Sequence, residues 1–498
     1  MTLLVLLRND PNSRPFPETG GHGTCMHQRG VHFLLLIILL VLNPLHAQEE
    51  GAPTRSGWEY VTVSAQVKPD EEWRHYPSLT IEGMRDFHTA SADNDLNGFG
   101  GNRLRRTVAT GFFRVQKEGE RWWLIDPEGC YNVQRGVVSV SVPKTGRAGA
   151  AADSAFGSSS GWAEATAGLL RDYGFNCTGA WSDDQRLQTA GRRLPYTRIL
   201  NMMSLYGKKR GGTFQQPGHT GYPNDCIFVF DEDFPRFCDS LAGQLAVVAR
   251  DSFLVGYYTD NELPFPPDAL TRYLQLPEND AGSRSAARWM RDRNYAMDGS
   301  ALADEVQAEF LQYMANEYFR ITTAAIRKHD PNHMILGSRF YGKSLKTQAV
   351  FVAAGRHCDA VSVNYYHRWT PETAEMDQWV TWSGKPFLVT EWYVKGEDSG
   401  LPNRSGAGWI VPTQRDRGVF YQNFTLQLLQ SKGCIGWHWF KYIDNDPTDP
   451  SVDPSNNDSN KGIVNIRFEP YAGLLALMRD INIRVYRLID YFDSGATH

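Results

Sequence analysis

Two short apolar segments of this chain each end abruptly at a glutamate. Phe253 to Glu262 reads FLVGYYTDNE, and Lys385 to Tyr393 reads KPFLVTEWY, in which Glu391 closes the apolar run. Both segments are rich in β-branched and aromatic residues, which favours buried strands. A strand that presents a carboxylate at its C-terminal end is typical of a (β/α)₈ barrel, whose functional residues lie at that face.

The rest of the chain supports the same fold class, because strand-like and helix-like segments alternate from Tyr131 onwards. Strands are predicted at 131–140, 175–181, 195–203, 253–262, 333–340, 360–366, 386–393 and 434–442. Helices are predicted at 162–173, 231–250, 306–325, 414–431 and 471–489, and long loops at 141–160, 206–223 and 444–460. Counted from Tyr131, the two glutamate-ended strands are the fourth and the seventh of eight.

The sequence predicts an α/β protein, a (β/α)₈ TIM barrel over residues 111–498, preceded by a small β-rich N-terminal extension over residues 48–110. Residues 1–47 are interpreted as upstream residues followed by a secretory signal peptide. Met26 to His32 is mildly basic, the next ten residues read FLLLIILLVL, and Leu45-His46-Ala47 resembles a cleavage end. We therefore expect a secreted or periplasmic protein with no membrane association after cleavage. A single N-terminal membrane anchor is the alternative.

Composition restricts the class of ligand. The formal net charge of the 498 residues is only −5, which gives no electrostatic case for binding nucleic acid or an anionic membrane. Aromatic residues make up 12% of the chain, with 14 Trp. Many belong to the core, but flat apolar rings also suit the CH-rich faces of sugars.

The two strand-end glutamates are candidate catalytic residues. Hydrolysis of a glycoside with retention requires one carboxylic acid that protonates the leaving oxygen and one carboxylate that attacks the anomeric carbon, about 5–5.5 Å apart. The fourth and seventh strands of a barrel lie across its mouth from each other, so Glu262 and Glu391 can meet this requirement. Ordinary salt bridges at strand ends are the structural alternative.

Further polar and aromatic residues at strand ends are candidates for substrate binding. Asn261 precedes Glu262 and can bond a sugar hydroxyl, although Asn also favours turns. Arg339 can orient a carboxylate or bind the sugar, and a structural ion pair is the alternative. Asn364, Tyr365 and Tyr366 end the sixth strand, and at least one of them should face the site. The other candidates are Trp392 and Trp439. Alternation places Trp437 and Trp439 on one face of the last strand, and we expect Trp439 near the mouth to stack on a sugar.

No metal or cofactor site is predicted. The six cysteines beyond the signal segment have no CxxC spacing, and Cys226 and Cys238 are the nearest pair for a disulfide. The Asp-rich loop 444–460 is interpreted as solvated, with a calcium site as the alternative.

Six segments, in order, resemble the family-50 glycoside hydrolases, the beta-agarases, of the large clan of retaining (β/α)₈ glycosidases. They are DPEG (126–129), YYTDNE (257–262), DPNHMILGSRF (330–340), DAVSVNYY (359–366), KPFLVTEW (385–392) and GWHWFKYID (436–444). The resemblance covers residues 111–490. It implies that Glu262 is the acid/base, that Glu391 is the nucleophile, and that the substrate is an agarose-like galactan with β-1,4 linkages between galactose and 3,6-anhydrogalactose.

The chain also departs from this family. Only about sixty residues separate the signal segment from the barrel, where agarases often carry a larger carbohydrate-binding-like module, and Thr390-Glu391-Trp392 stands where Gly-Glu-Phe is expected. These differences concern the substrate and leave the chemistry intact. The alternatives are a clan relative that cuts another polysaccharide, such as a mannan, a glucan or a β-galactoside, and a non-catalytic barrel that only binds glycans.

Overall fold

The computed structural model describes residues 56–87, 91–93, 95–143, 146–216, 218–296, 302–449 and 456–494. They lie in one compact unit, Glu50–His498. The predicted signal peptide and its cleavage position lie outside the described residues. Within the described ranges, no helix combines the length and the apolar character that crossing a bilayer requires.

Antiparallel strands dominate the N-terminal part, as predicted. Strands β1 (Tyr60–Ala65) and β2 (Arg74–Leu79) form a hairpin. A four-stranded sheet of order β3-β6-β5-β4 follows, built from β3 (Asn102–Arg106), β4 (Arg114–Glu118), β5 (Arg121–Ile125) and β6 (Cys130–Asn132). Phe99, Phe113 and Leu124 from this region pack into the same apolar cluster as barrel residues such as Leu336 and Ile435, so the sheet covers one end of the barrel core.

Eight parallel strands close into the predicted barrel. The strands that follow β6 are β7 (Gln134–Val137), β8 (Cys177–Thr178), β9 (Tyr196–Ile199), β10 (Phe214–Gln216), β11 (His219–Gly221), β12 (Leu254–Asn261), β13 (Met334–Phe340), β14 (Val361–Asn364), β15 (Phe387–Glu391), β16 (Lys395–Gly396), β17 (Ile410–Val411) and β18 (Cys434–Trp439). The barrel runs β7-β8-β9-β12-β13-β14-β15-β18 and returns to β7. Strands β12 and β15 are its fourth and seventh strands, in agreement with the sequence.

Helices alternate with these strands around the barrel. They are α1 (Gly146–Phe156), α2 (Ser159–Asp172), α3 (Asp184–Leu187), α4 (Met202–Arg210), α5 (Phe234–Ala242), α6 (Ala269–Leu274), α7 (Ala281–Asp292), α8 (Asp304–His329), α9 (Gln348–His357), α10 (Thr373–Ser383), α11 (Gln414–Gln430), α12 (Ala472–Asn482) and α13 (Val485–Asp493). Two predictions were wrong here. The expected loop 141–160 contains α1, whose alanines favour helix, and the expected closing helix 471–489 is two helices because Arg484 leaves the helical conformation at φ −128°.

A buried carboxylate fixes the strand that carries the first catalytic candidate. Asp260 is completely buried and accepts hydrogen bonds from the backbone N–H groups of Met203 and Ser204 at the start of α4 and from the Tyr318 hydroxyl on α8. Burial raises the pKa of Asp260 to about 7. The bonds tie the end of β12 to two helices, so the segment that follows has a fixed position.

Candidate active site

Glu262 and Glu391 share one cleft at the C-terminal ends of the barrel strands. Glu391 is the last residue of β15, and Glu262 directly follows β12. Glu262 has a left-handed backbone conformation (φ 49°), and its N–H donates to the Arg339 carbonyl at 2.9 Å. A non-glycine residue in this conformation is held by its surroundings, which is common at functional sites.

Arg339 connects the two strands from below the cleft. Its side chain is completely buried, and Nη2 lies 2.8 Å from Glu391 Oε1. This contact is an ion pair and not an aligned hydrogen bond, because Oε1 accepts no hydrogen bond within the described part of the chain. Nη2 also donates to the Thr390 carbonyl at 2.8 Å, and Nη1 donates to Asn261 Oδ1 at 3.0 Å. Arg339 therefore orients residues and lies too deep to line the cleft.

Tyr366 holds the other oxygen of Glu391. The phenolic hydroxyl donates a hydrogen bond of 2.7 Å to Glu391 Oε2, and the Tyr366 ring lines the cleft. Arg339 thus lies at one oxygen of Glu391 and Tyr366 at the other. These two contacts fix the orientation of the carboxyl group at the end of β15, as a nucleophile requires.

The carboxyl group of Glu262 has different neighbours from that of Glu391. Asn364 Nδ2 donates to Glu262 Oε1 at 2.8 Å and lies 3.1 Å from Asn261 Oδ1. His219 Nδ1, at the start of β11, is 3.6 Å from Glu262 Oε2. Burial, and after it the charge of Glu391, raise the pKa of Glu262 to about 8 against the opposing effects of Asn364 and Arg339. Glu262 therefore keeps its proton at neutral pH and can act as an acid.

The cleft has a volume of about 660 Å³, which is large enough for a short run of sugar rings. Five aromatic side chains line it, namely Trp181, Tyr341, Tyr366, Tyr393 and Phe440. Trp181 has 37% of its surface exposed, and its ring lies 4.5 Å from the Arg339 guanidinium carbon. An exposed ring that lies over the Arg339 guanidinium is suited to stacking on a sugar.

Three of the predicted binding residues have side chains that pack in the core away from the two glutamates, and those predictions are corrected. Tyr365 is buried and its hydroxyl donates to Glu375. Trp392 stacks on Phe424 of α11, with ring centres 4.2 Å apart. Trp439 is completely buried beside Trp392 and donates to the Lys461 carbonyl. All three pack behind the barrel strands and cannot contact a substrate in this conformation.

A bulge explains the error at the last strand. The pairing of β15 with β18 shifts by one residue between Phe387 and Leu388, opposite Gly436, which has φ 153°. A one-residue shift exchanges the faces of a strand. Trp437 and Trp439 consequently face α11, where Trp437 donates to the Tyr421 hydroxyl, and His438 faces the barrel interior against Gly136 and Gly179. Burial lowers the pKa of His438 to about 3, so its imidazole is neutral.

Apart from the three buried residues described above, the predicted site residues lie at the cleft or directly beneath it. Asn261 lines the cleft with Glu262 and Glu391, and Arg339 and Asn364 lie directly beneath them. Sequence reasoning missed Trp181 and His219 as site residues. Trp181 ends a predicted strand, which could have identified it, whereas the short β10–β11 hairpin that carries His219 was interpreted as a loop.

The described residues contain no group of three or more His, Cys, Asp or Glu side chains arranged to hold a metal ion. In the Asp-rich loop, Asp444 accepts hydrogen bonds from Asn460, Gly462 and Tyr471, and Asp446 pairs with Arg147. Residues 450–455 of this loop lie outside the described ranges. Cys226 and Cys238 are both buried free thiols.

Comparison with known proteins identifies two curated relatives, both from Vibrio sp. (strain JT0107). Beta-agarase B is 24% identical over 373 residues, and beta-agarase A is 26% identical over 375 residues. The matches cover 66% and 65% of this chain but only 36% of each relative, so the chain spans little more than a third of their length. No family model matches the chain.

Solved structures extend the likeness over most of the chain. The crystal structure of BpGH50 has a TM-score of 0.78 and 28% identity, covering 89% of this chain and 98% of that one. The structure of an exo-beta-agarase has a TM-score of 0.67 and 18% identity, covering 80% and 68%, and shows the fold alone. The chain is thus similar in sequence to beta-agarases and in structure to BpGH50, and these likenesses support a glycoside hydrolase.

Proposed function

We propose that this protein is a retaining β-glycoside hydrolase of the beta-agarase type, in which Glu262 is the acid/base and Glu391 is the nucleophile. One observation carries the proposal. Two glutamates in one cleft have different environments, because Arg339 and Tyr366 contact the two oxygens of Glu391, while burial and the charge of Glu391 raise the pKa of Glu262 to about 8. Paired carboxyl groups with divided roles are the requirement of this chemistry.

In the first step, Glu262 donates its proton to the glycosidic oxygen as Glu391 attacks the anomeric carbon. The C–O bond to the leaving sugar breaks, and an ester forms between the sugar and Glu391. Formation of the ester neutralises Glu391, which removes part of the cause of the raised pKa of Glu262. With a lower pKa, Glu262 stays ionised at neutral pH after it has given up its proton, and it can then act as the base in the second step.

In the second step, Glu262 accepts a proton from a water molecule that attacks the same anomeric carbon. The ester bond breaks, and Glu391 leaves as a carboxylate that Arg339 and Tyr366 are already placed to stabilise. Two inversions at one carbon give overall retention of configuration.

The proposed substrate is an agarose-like galactan, cleaved at its β-1,4 linkages. Similarity to two beta-agarases and to BpGH50 supports this choice. The open cleft of about 660 Å³ and its five aromatic side chains are consistent with a neutral oligosaccharide chain. No cofactor or metal is needed for the chemical steps.

The decisive experiment is an activity assay of purified protein on agarose and agarose oligosaccharides, with mannan, glucan and simple β-galactosides in parallel. We expect cleavage of the agarose substrates and a first-formed β-anomer in proton NMR. Glu391→Gln is the negative control, because it preserves size and removes the nucleophile. Cleavage of mannan or glucan alone would reject the substrate, and an initial α-anomer would reject the assigned roles.

Export is a separate proposal, based on the apolar run 33–42 and the cleavage-like end at Ala47. We propose a mature N-terminus near Gln48 and a secreted or periplasmic enzyme. Mass spectrometry of the protein from the native host tests this. Intact protein that retains residues 26–47 in the membrane fraction would support an anchor instead.

A further inference from the structure

We propose that the rim of the active-site cleft contains a subsite for an anionic substituent of the substrate, a sulfate ester or a carboxylate, formed by Lys68 and Arg404. Both residues line the same cleft as Glu262 and Glu391. The inference rests on the proposed glycosidase function and adds a charged group to the sugar chain that the cleft binds.

Lys68 reaches the cleft from the N-terminal hairpin region, which lies outside the barrel strands. Its ammonium donates to the Gly406 carbonyl at 3.0 Å and, more weakly, to the Arg404 carbonyl at 3.4 Å. A lysine ammonium has three N–H donors, so at least one stays available to a ligand. Within the described ranges, Lys68 forms no ion pair with a carboxylate.

The loop that carries Arg404 is held rigidly at the rim. Lys68 binds the carbonyls of Arg404 and Gly406, and the buried Lys395 binds those of Asn403 and Ser405, at 2.9 and 3.0 Å. Four consecutive carbonyl groups are therefore held by the amino groups of two lysines. This arrangement leaves the exposed guanidinium of Arg404 with no ion pair or hydrogen bond among the described residues. A guanidinium matches the geometry of sulfate and carboxylate oxygens.

The carboxylate at this rim is bound by the loop itself. Asp458 also lines the cleft, but its Oδ1 accepts from the Ser405 N–H at 2.9 Å and its Oδ2 accepts from the Arg404 N–H at 3.1 Å. Burial would raise the pKa of Asp458, but hydrogen bonds from Ser405 and Arg404, together with the nearby Lys395 side chain, hold that pKa below its usual value. Asp458 is thus held by the backbone of the loop, and among the described residues the side chains of Lys68 and Arg404 form no ion pair with it.

The rim is connected to the reacting centre by a short series of contacts. A side chain at Gly406 would collide with the Tyr393 hydroxyl, so the loop packs directly on Tyr393. The Tyr393 ring lies 5.5 Å from the Tyr366 ring, and Tyr366 bonds Glu391. An anionic group at the rim can therefore belong to a sugar chain that also reaches Glu391.

Binding to the inactive variant Glu262→Gln tests the inference. Calorimetry would compare a neutral agarose tetrasaccharide with a tetrasaccharide that carries one sulfate ester and with one that carries one carboxyl group. We expect the anionic chains to bind about tenfold tighter at low salt, and the difference to shrink when NaCl is raised from about 50 to about 500 mM. Preference for only one of the two anionic chains would identify the source of the anion.

The double variant Lys68→Gln/Arg404→Gln in the same background should remove most of this preference. A matched control, Lys209→Gln/Arg415→Gln, loses the same two charges at positions that lie outside the cleft, and it should keep the preference. Arg404→Gln alone changes an exposed side chain and should remove part of the preference, even if changing Lys68 disturbs the loop.

Equal binding of neutral and anionic chains would overturn the subsite, as would a preference that survives the double variant. The assays also separate this inference from the proposed function. Activity on neutral agarose without any preference for anionic chains rejects only the subsite. Absence of turnover with every galactan rejects the proposed function, and the subsite then stands only if anionic chains still bind in a Lys68- and Arg404-dependent manner.

Discussion

The hydroxyl of Tyr366 donates a hydrogen bond of 2.7 Å to Glu391 Oε2, while its neighbour Tyr365 points the opposite way and donates to Glu375. Adjacent residues at the end of β14 therefore serve the cleft and the core. A hydrogen bond to a charged group contributes about 1.5–3 kcal/mol, so the two hydroxyls provide a matched comparison.

We predict that Tyr366→Phe lowers kcat/KM by about 10- to 100-fold, because the nucleophile loses a directed hydrogen bond. Tyr365→Phe should lower thermal stability and leave kcat/KM within about threefold, because its hydroxyl bonds only Glu375 and the backbone N–H of Glu372, which do not line the cleft. Steady-state kinetics and thermal unfolding of both variants provide the check. Equal kinetic effects would mean that Tyr366 has no special relation to Glu391.

The pH dependence should reflect the shifted pKa of Glu262. This pKa is about 8 in the free protein, so kcat/KM should fall as pH rises through that region and Glu262 loses its proton. The Asn364 hydrogen bond lowers this pKa, and Asn364→Ala should therefore move the alkaline limb to higher pH. Ser362→Ala, on the same strand, is the control. A limb that does not move would separate Asn364 from the titration of Glu262.

The raised pKa of Glu262, caused by burial and by the charge of Glu391, predicts a stability effect. Folding raises the pKa of Glu262 from 4.5 to about 8. The protonated form therefore stabilises the folded protein, and this stabilisation is complete at low pH and is lost as the pH rises towards about 8. Glu262→Gln mimics the protonated form at all pH values. The Tm of the variant minus that of the parent should therefore increase between pH 5 and pH 8. A constant difference would contradict the raised pKa.

Sequence patterns predicted the barrel, its strand count and the positions of Glu262 and Glu391, because each depends on local features. A buried parallel strand needs a continuous apolar run, and a strand-end carboxylate is visible in the sequence. The network of Asn261, Arg339 and Asn364 could also be predicted from the sequence, because polar residues at neighbouring strand ends meet at one face of a barrel.

The orientation of Trp439 could not be predicted in the same way. Alternation correctly placed Trp437 and Trp439 on one face, but the bulge at Gly436 decides which face that is, and a bulge depends on pairing with another strand. The position of Lys68 at the rim of the cleft could not be predicted for a similar reason. Lys68 lies more than 300 residues from the loop carbonyls that it binds, and no local pattern reports such a contact.

Trp181 should replace Trp439 as the stacking residue. Trp181→Ala is expected to raise KM by about tenfold, because an exposed ring above Arg339 is lost from the cleft. Trp439→Phe should instead lower stability and change KM little, because that ring is completely buried against Trp392 and Tyr421. Kinetics on an agarose oligosaccharide distinguish the two. A larger KM effect at Trp439 would restore the original assignment.

The division of roles between the two glutamates makes the sharpest prediction. Glu262→Ala should reduce turnover of a galactan by about 10²- to 10⁴-fold, but much less with an aryl glycoside whose leaving group needs no protonation. Glu391→Gly should abolish turnover of both substrates, because no other group can form the ester. Azide added to Glu262→Ala should give a β-glycosyl azide, since it replaces water in the second step. Added to Glu391→Gly, azide should occupy the vacated space and give the α-azide by single displacement. Proton NMR of the two azides decides the assignment. The opposite pattern of anomers would exchange the roles of Glu262 and Glu391.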